Sequence, residues 1–550
     1  MSRPSVSAVL LLFGLTSLLA AQTSTRPAEY SISGVVVSAT TGTPLDRAEV
    51  TLSTPGTRSS TLDTTLTGEN GAFRFEHLEA GRYRLQASRR GYLTSGYQEH
   101  EGYFTGVVTG PNLISDGLRF EIFPTAVIGG VVTDDAGEPV GSAAVHLYRQ
   151  DQATGETRVV SAGQEITDDT GSWEFARLRA GTYFVAVSAT PWYAMHSEPA
   201  DLNSAMMPID QQPHQPLDVA YATTFYANGT DSDSATPIAV NAGDRVEANV
   251  SLHAVPAVYI QVRLPIPQEG HGVPMPQIMQ TVFGSEEAKA SNWYSFSSNG
   301  GPIIAEAGGL APGNYMVREF GEHGESNRTM NADLTSNQSI DLSASVGGGV
   351  DVSGKVAMAS GERLPNRARV SLIPPDSGPT VVDAVQIAQD GSFTLHSVAP
   401  GRYQLRIGSM GTRLAILQML ASGAEVQGDY LIVGSEPVSL AASLAAGSTT
   451  IEGYARLNGK ALGGSMILLV PRDPNADPEL FRRDQSNTDG SFELSRVVPG
   501  DYILVAIENG WTLDWARREA IAPYLAGGVK VRVTGQRTLE LPTAIEVQHR

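Results

Sequence analysis

The sequence predicts an all-β protein, a tandem array of about five small antiparallel β-sandwich domains behind a cleaved signal peptide. Three observations predict it. A phrase read at residues 390–405 as DGSFTLHSVAPGRYQL returns at intervals of roughly one domain. Short period-two runs of β-branched and aromatic residues lie between clusters of Gly, Pro, Asp and Asn, as strands separated by turns are written. Finally, 57 Gly and 32 Pro in a chain that is 41% hydrophobic and 17% charged mark many turns within packed domains rather than disorder.

The 550 residues exceed what one core supports, and roughly 100–150 residues per domain gives about four to five units. Four copies of the phrase align with their two glycines ten residues apart. These are Gly71-Ala-Phe73-Arg-Phe75 with Gly81-Arg-Tyr83, and Gly171-Ser-Trp173-Glu-Phe175 with Gly181-Thr-Tyr183. The other two are Gly391-Ser-Phe393-Thr-Leu395 with Gly401-Arg-Tyr403, and Gly490-Ser-Phe492-Glu-Leu494 with Gly500-Asp-Tyr502. A degenerate fifth copy has Asn299-Gly300-Gly301 followed, at longer spacing, by Gly313-Asn-Tyr315.

Upstream of each phrase lies a second element, such as Ile32-Ser-Gly34-Val-Val36, Pro44-Leu45 and Ala48-Glu-Val50-Thr-Leu52. Its counterpart in the fourth copy is Val352-Ser-Gly354-Lys-Val356, Leu364-Pro365 and Ala368-Arg-Val370-Ser-Leu372. The expected organisation is a signal peptide at 1–21 and sandwiches at 28–124, 125–255, 256–348 (degenerate), 349–446 and 447–550. The runs 226–252 and 529–541 read as closing strands, and 413–421, RLAILQMLA, as one short helix.

The periods explain the phrase. Asp390-Gly391 supplies a tight turn, because glycine reaches positive φ without steric cost. Phe393 and Leu395 then face the core while Ser392 and Thr394 face water. A turn at Ala399-Pro400-Gly401 starts the next inward row, Tyr403, Leu405 and Ile407. The phrase is a strand, a turn and a strand.

With G-x-[FW]-x-[FL], G-x-Y and the preceding S-G-x-V and P-[LV]-x-x-A-x-V elements, the chain resembles the carboxypeptidase regulatory-like domains. The resemblance implies transthyretin-like sandwiches over most of the chain, akin to collagen-adhesin B-type domains and to a carbohydrate-binding-like fold. Such domains occur as accessory parts of secreted enzymes, adhesins and outer-membrane receptors. Collagen-adhesin B-type relatives can carry a Lys–Asn crosslink assisted by an acidic residue, and Glu319 stands in a comparable place. That unit has no lysine in its first strand, and the chain has only Lys289, Lys355, Lys460 and Lys530, so no such crosslink is expected.

A net charge of −20 argues against nucleic acid, whose phosphates call for clustered Lys and Arg. Arg3, an apolar run from Ala8 to Ala20 and the small residues Ala20 and Ala21 compose a secretory signal. No membrane span is expected after its cleavage. Without cysteine, no disulfide staples any domain, and each must stand on its own core.

Tests for chemistry return little. No H-x-x-E or H-E-x-x-H pair is present, so the resemblance implies the regulatory module without a zinc carboxypeptidase. His196-Ser-Glu198 and His323-Gly-Glu325 read as solvated loop histidines, and no G-x-S-x-G elbow occurs. Gly349 to Lys355 has P-loop spacing, but Val356 replaces the required Ser or Thr. Asp231 and Asp233 could offer oxygens to Ca²⁺, yet an acidic loop is the simpler reading. No catalytic residue, metal ligand or cofactor is expected.

Sugar binding needs exposed aromatic faces. Trp192, Tyr193, Trp293, Tyr294, Trp511 and Trp515 lie outside the repeated core pattern and are the candidate carbohydrate-binding residues, although ordinary packing between loops or neighbouring sandwiches is the simpler reading for each. The sequence thus reads as a secreted or periplasmic, non-catalytic interaction protein whose partner is an extracellular or envelope protein. The alternative is a polysaccharide-binding protein using these aromatics. A third reading, an enzyme with a site assembled across domains, would show convergent perturbed carboxylates in a cleft.

Overall fold

The structure is a computed structural model that describes residues 29–56, 60–152, 155–196, 217–264, 276–289, 292–297, 303–320, 326–342, 350–374, 382–398, 400–409, 412–473 and 477–550. The expected signal peptide and the Asn299-Gly300-Gly301 turn lie outside these residues. Five successive hydrophobic cores follow the chain, each drawn from one stretch: Ile32 to Ile122, Ala126 to Leu252, Val258 to Leu342, Val352 to Leu444 and Ile451 to Val547. We refer to the five stretches as units one to five.

The cores of units one to three are enclosed by separate small sheets, whereas in units four and five the strands around the core join into one nine-stranded sheet each. In unit one, Tyr30–Ser38 pairs with Ala72–Leu78 and Leu118–Ile122, and Glu49–Ser53 is flanked by Thr61–Leu66 and Gly81–Ser88. One feature departs from a purely antiparallel sandwich. The first strand of each unit runs parallel to its closing strand, with partners Gly34 and Leu118, Val127 and Arg245, Ile260 and Gln338, Val352 and Val438, and Thr450 and Thr538. A closing strand that returns beside the first satisfies its open edge.

The repeated phrase behaves as its periods predict. Gly71, Gly171, Gly391 and Gly490 all have positive φ, and a Cβ on any of them would approach a first-strand carbonyl oxygen to within 2.1–2.6 Å. Glycine is required there twice over, by conformation and by space. Phe73, Trp173, Phe393 and Phe492 are buried. The tyrosine of G-x-Y turns its hydroxyl back to a carbonyl four residues earlier, Tyr83 to Glu79 (2.9 Å), Tyr183 to Arg179 (2.9 Å), Tyr315 to Ala311 (2.7 Å) and Tyr502 to Val498 (2.8 Å). A buried ring thus keeps its polar tip satisfied.

Two further repeated devices escape the hydrophobic pattern. His77, Arg177 and Arg496 take positive φ six residues after the phrase's first glycine, where the register of the pairing with the first strand shifts in a β-bulge. Four residues before that glycine, the Thr67 hydroxyl accepts from Ala48 N (2.9 Å) and donates to Leu45 O (2.6 Å). Thr167 repeats this with Ala143 and Val140, and Ser486 with Ser465 and Leu462. Unit four has buried Ile387 at that place and keeps only the backbone bond to Ala368.

The short helix expected at 413–421 is instead the strand Thr412–Ser422, paired with Val438–Ala445 and with the end of Gly401–Ser409. Leu414, Ala415, Ile416 and Met419 of its apolar run are buried while Leu417 and Leu420 are exposed, and for so short a run length and periodicity alone do not separate helix from strand. A short helix does form, at Arg518–Leu525, burying Ile521 against unit five.

Candidate functional site at the junctions between units

The units fold against one another. Unit five offers unit one its edge strand Arg482–Gln485 and the following turn. Gln485 Nε2 donates to Gln98 O (2.6 Å) and Thr105 Oγ1 (2.8 Å), while its Oε1 meets His100 Nδ1 at 3.1 Å. Gly106 N donates to Asn487 Oδ1 (3.1 Å), Thr488 N to Gly106 O (3.0 Å) and Val108 N to Thr488 Oγ1 (2.9 Å). Thr105, Gln485, Ser486 and Asn487 are all buried, so water is excluded from a junction built of amides and hydroxyls. Each of these four side chains has a partner to offset its desolvation.

Beside this polar row lies an aromatic stack. Trp511 donates from Nε1 to Gly464 O (3.1 Å) and packs on His100 and Tyr103. The Arg483 guanidinium sits 4.3 Å from the Trp515 ring centroid and 5.2 Å from that of Tyr103, and its Nη1 bonds Glu101 at 2.8 Å. Trp511 and Trp515 are therefore buried packing residues, with protein where a sugar face would have to lie.

Unit two meets unit five through Ala516 N to Gly155 O (3.0 Å) and Thr157 Oγ1 to Asp514 Oδ1 (2.7 Å). It meets unit three through Phe283, whose ring lies 4.9–5.6 Å from those of Tyr148, Phe184 and Phe225. Tyr148 also hydrogen-bonds Glu287, and Lys289 Nζ donates to Thr223 Oγ1 at 2.9 Å. Burial lowers the Lys289 ammonium below its ordinary range. His196 belongs to this junction too. It bonds Asp218 at 3.0 Å and abuts Gly309, so it is not the solvated loop histidine expected; the close approach of the two units removes the water. His323 lies outside the described residues.

Units four and five enclose a cleft of about 650 Å³ that holds Asp429, Asp473, Asp477 and Asp501. Burial pushes the Asp477 carboxyl up to about 6 and raises that of Asp429. Both are engaged. Asp477 accepts from Ile416 N (3.2 Å) across the junction and from Glu479 N (2.8 Å), and Asp429 accepts from Gln404 Nε2 (2.5 Å). Asp477 thus ties unit five to unit four, and Asp429 is engaged within unit four.

Of the remaining candidates, Trp192 is 90% exposed and sits edge-on to half-buried Tyr193, at a centroid distance of 5.7 Å. Trp293 is half-buried on the core of unit three, in the strand Asn292–Ser297 that also carries Tyr294. Among the described side chains no ring contact joins Trp192 or Tyr193 to Trp293, Trp511 or Trp515. The Asp231 carboxylate accepts from Asp233 N (3.0 Å) and caps the turn Ser232–Ser234. Among the described residues no three His, Asp or Glu side chains cluster to hold a metal ion. The junction residues carried no sequence signal, since nothing in Gln485-Ser486-Asn487 marks it as buried.

Solved structures with similar parts include the shaft pilin SpaA from Lactobacillus rhamnosus GG, at 10% identity and a TM-score of 0.20 over 42% of this chain and 98% of that one. A Streptococcal ancillary pilin matches at 11% identity and 0.18 over 52% and 98%, and the Bacillus anthracis TIE protein at 10% and 0.17 over 76% and 74%. At such TM-scores the likeness bears on neither arrangement nor function. No curated protein matches the chain. The family model of the carboxypeptidase regulatory-like domain matches residues 31–102, the stretch that contains the first-strand glycine Gly34 and the whole phrase from Gly71 to Tyr83, and the chain therefore carries a carboxypeptidase regulatory-like domain in unit one.

Proposed function

We propose that this is a secreted or periplasmic, non-catalytic interaction protein in which packed regulatory-like sandwiches hold their outer surfaces at fixed spacings. One observation carries the reading: the residues the units share are spent on turns, cores and hydroxyl staples, and the raised carboxyls of Asp429, Asp477 and Asp484 are all engaged by hydrogen bonds within the protein. Repeated surfaces on a stiff frame suit several weak contacts to an extracellular or envelope protein. Among the described residues no helix is long and apolar enough to cross a membrane.

The test is to isolate the protein from cell fractions, read its N-terminus, and assay residues 22–550 for binding to envelope proteins and for hydrolysis of peptide, ester and glycan substrates. Export with saturable binding and no turnover supports the reading, whereas turnover abolished by a point variant overturns it. The exposed Trp192 favours a second reading, polysaccharide binding through loop aromatics, with Tyr193, Trp293 and Tyr294 as further candidates. Loss of glycan binding in Trp192→Ala would support that.

A further inference from the structure

A second cleft, of about 610 Å³, opens where units one, two and five meet. That size falls within the roughly 300–1,000 Å³ of small-molecule sites. One wall follows from the alternation of the strand Leu118–Ile122. Phe120 and Ile122 point into the core of unit one, so Arg119, Glu121 and, one step past the strand, Phe123 face the cleft. Unit five supplies the opposite side with Gly463, Gly464, Glu508 and Asn509, and unit two adds Arg179.

Each acid that lines this cleft, Glu99, Glu121 and Glu508, has a partner. Arg119 Nε bonds Glu121 at 2.9 Å, Arg179 lies 3.8 Å from Glu99, and His549 bonds Glu508 at 2.5 Å. A polyanion would have to displace these acids from their partners, and a polycation the bases. Phe123 nevertheless leaves 44% of its surface open within this polar wall. An open ring flanked by carboxylates, a guanidinium and a carboxamide suits a ligand with an apolar C–H face and many hydroxyls.

We propose that this cleft binds a neutral oligosaccharide, with one sugar ring packed on Phe123 and hydroxyls read by Glu121, Glu508 and Asn509. The site needs three units in place, so none of them possesses it alone. It gives the interaction role a ligand class and a location, and it makes no use of Trp192.

The experiment is calorimetric titration of the full chain with gluco-, manno-, xylo-, galacto- and chito-oligosaccharides, with oligogalacturonate as the acidic control and thermal melts to verify folding. The variants are Phe123→Ala, Phe123→Tyr and Trp192→Ala. The proposal expects saturable binding of at least one neutral oligosaccharide, weakened about tenfold or more by Phe123→Ala, kept by Phe123→Tyr and untouched by Trp192→Ala. Binding lost in Trp192→Ala but kept in Phe123→Ala overturns the cleft and leaves the loop-aromatic reading standing. Binding of oligogalacturonate alone, or of no sugar, also overturns the cleft, and leaves a protein partner for the interaction role.

Discussion

His100 of unit one lies flat on Trp511 of unit five, with ring centroids 5.2 Å apart and planes within 4° of parallel. The contact joins the two ends of the chain. Removing the larger partner, in Trp511→Ala, is expected to cost about 3 kcal/mol, because a buried indole leaves a cavity. His100→Ala should cost about 1 kcal/mol, the worth of a ring pair. Denaturant titration gives both numbers, and equal costs would mean that the stack itself, not core filling, dominates.

A side chain at Gly106 would open the same junction without entering either core. A Cβ there would lie 2.5 Å from Asn487 Oδ1 and 3.0 Å from Arg82 Cγ. Gly106→Val is expected to raise the radius of gyration in small-angle scattering and to expose the 482–488 segment to protease. An unchanged scattering profile would show that the junction tolerates the displacement.

The hydroxyl staples make a third prediction. Thr167→Val in unit two leaves Ala143 N and Val140 O without their side-chain partner, at a cost of about 2 kcal/mol. Unit four fills the place with Ile387, so the apolar shape is acceptable to the fold and the loss should come from the unmet backbone groups. A variant as stable as the parent would mean that the backbone finds other partners.

Burial holds the carboxyls of Asp477 and Asp484 up at about 6, with Asp429 and Glu479 facing the first and Glu493 and Arg82 the second. A carboxyl raised in the folded state favours folding fully below its unfolded value and loses that contribution as pH climbs through about 6. The chain should therefore melt higher near pH 5 than near pH 7.5, with each group contributing on the order of 2 kcal/mol. Asp477→Asn and Asp484→Asn should flatten that dependence. A melting temperature that instead climbs between these pH values contradicts the assignment.

The repeated strands were legible because their information is local. Phe73 and Phe75 alternate with Arg74 and Glu76, and the glycine before them has one conformational use. The Thr412–Ser422 strand was not legible, since an apolar run of that length fits a buried helix equally well. Nor were the junctions. Gln485 is buried only because Thr105 and Gln98 arrive from the far end of the chain, and no local pattern encodes that meeting. The burial of Trp511 and Trp515 is the packing between sandwiches that the sequence allowed, though no local pattern names the unit that covers them.

Unit one leaves the ribosome long before the strand that will cap it exists. Gly106 must wait for Asn487, and until then the waiting surface is a row of carbonyls, amides and hydroxyls that water can solvate. An apolar face left open for so long would invite association with other chains. A polar seam trades some strength for safe passage, and lets the molecule close last, when both ends are at hand.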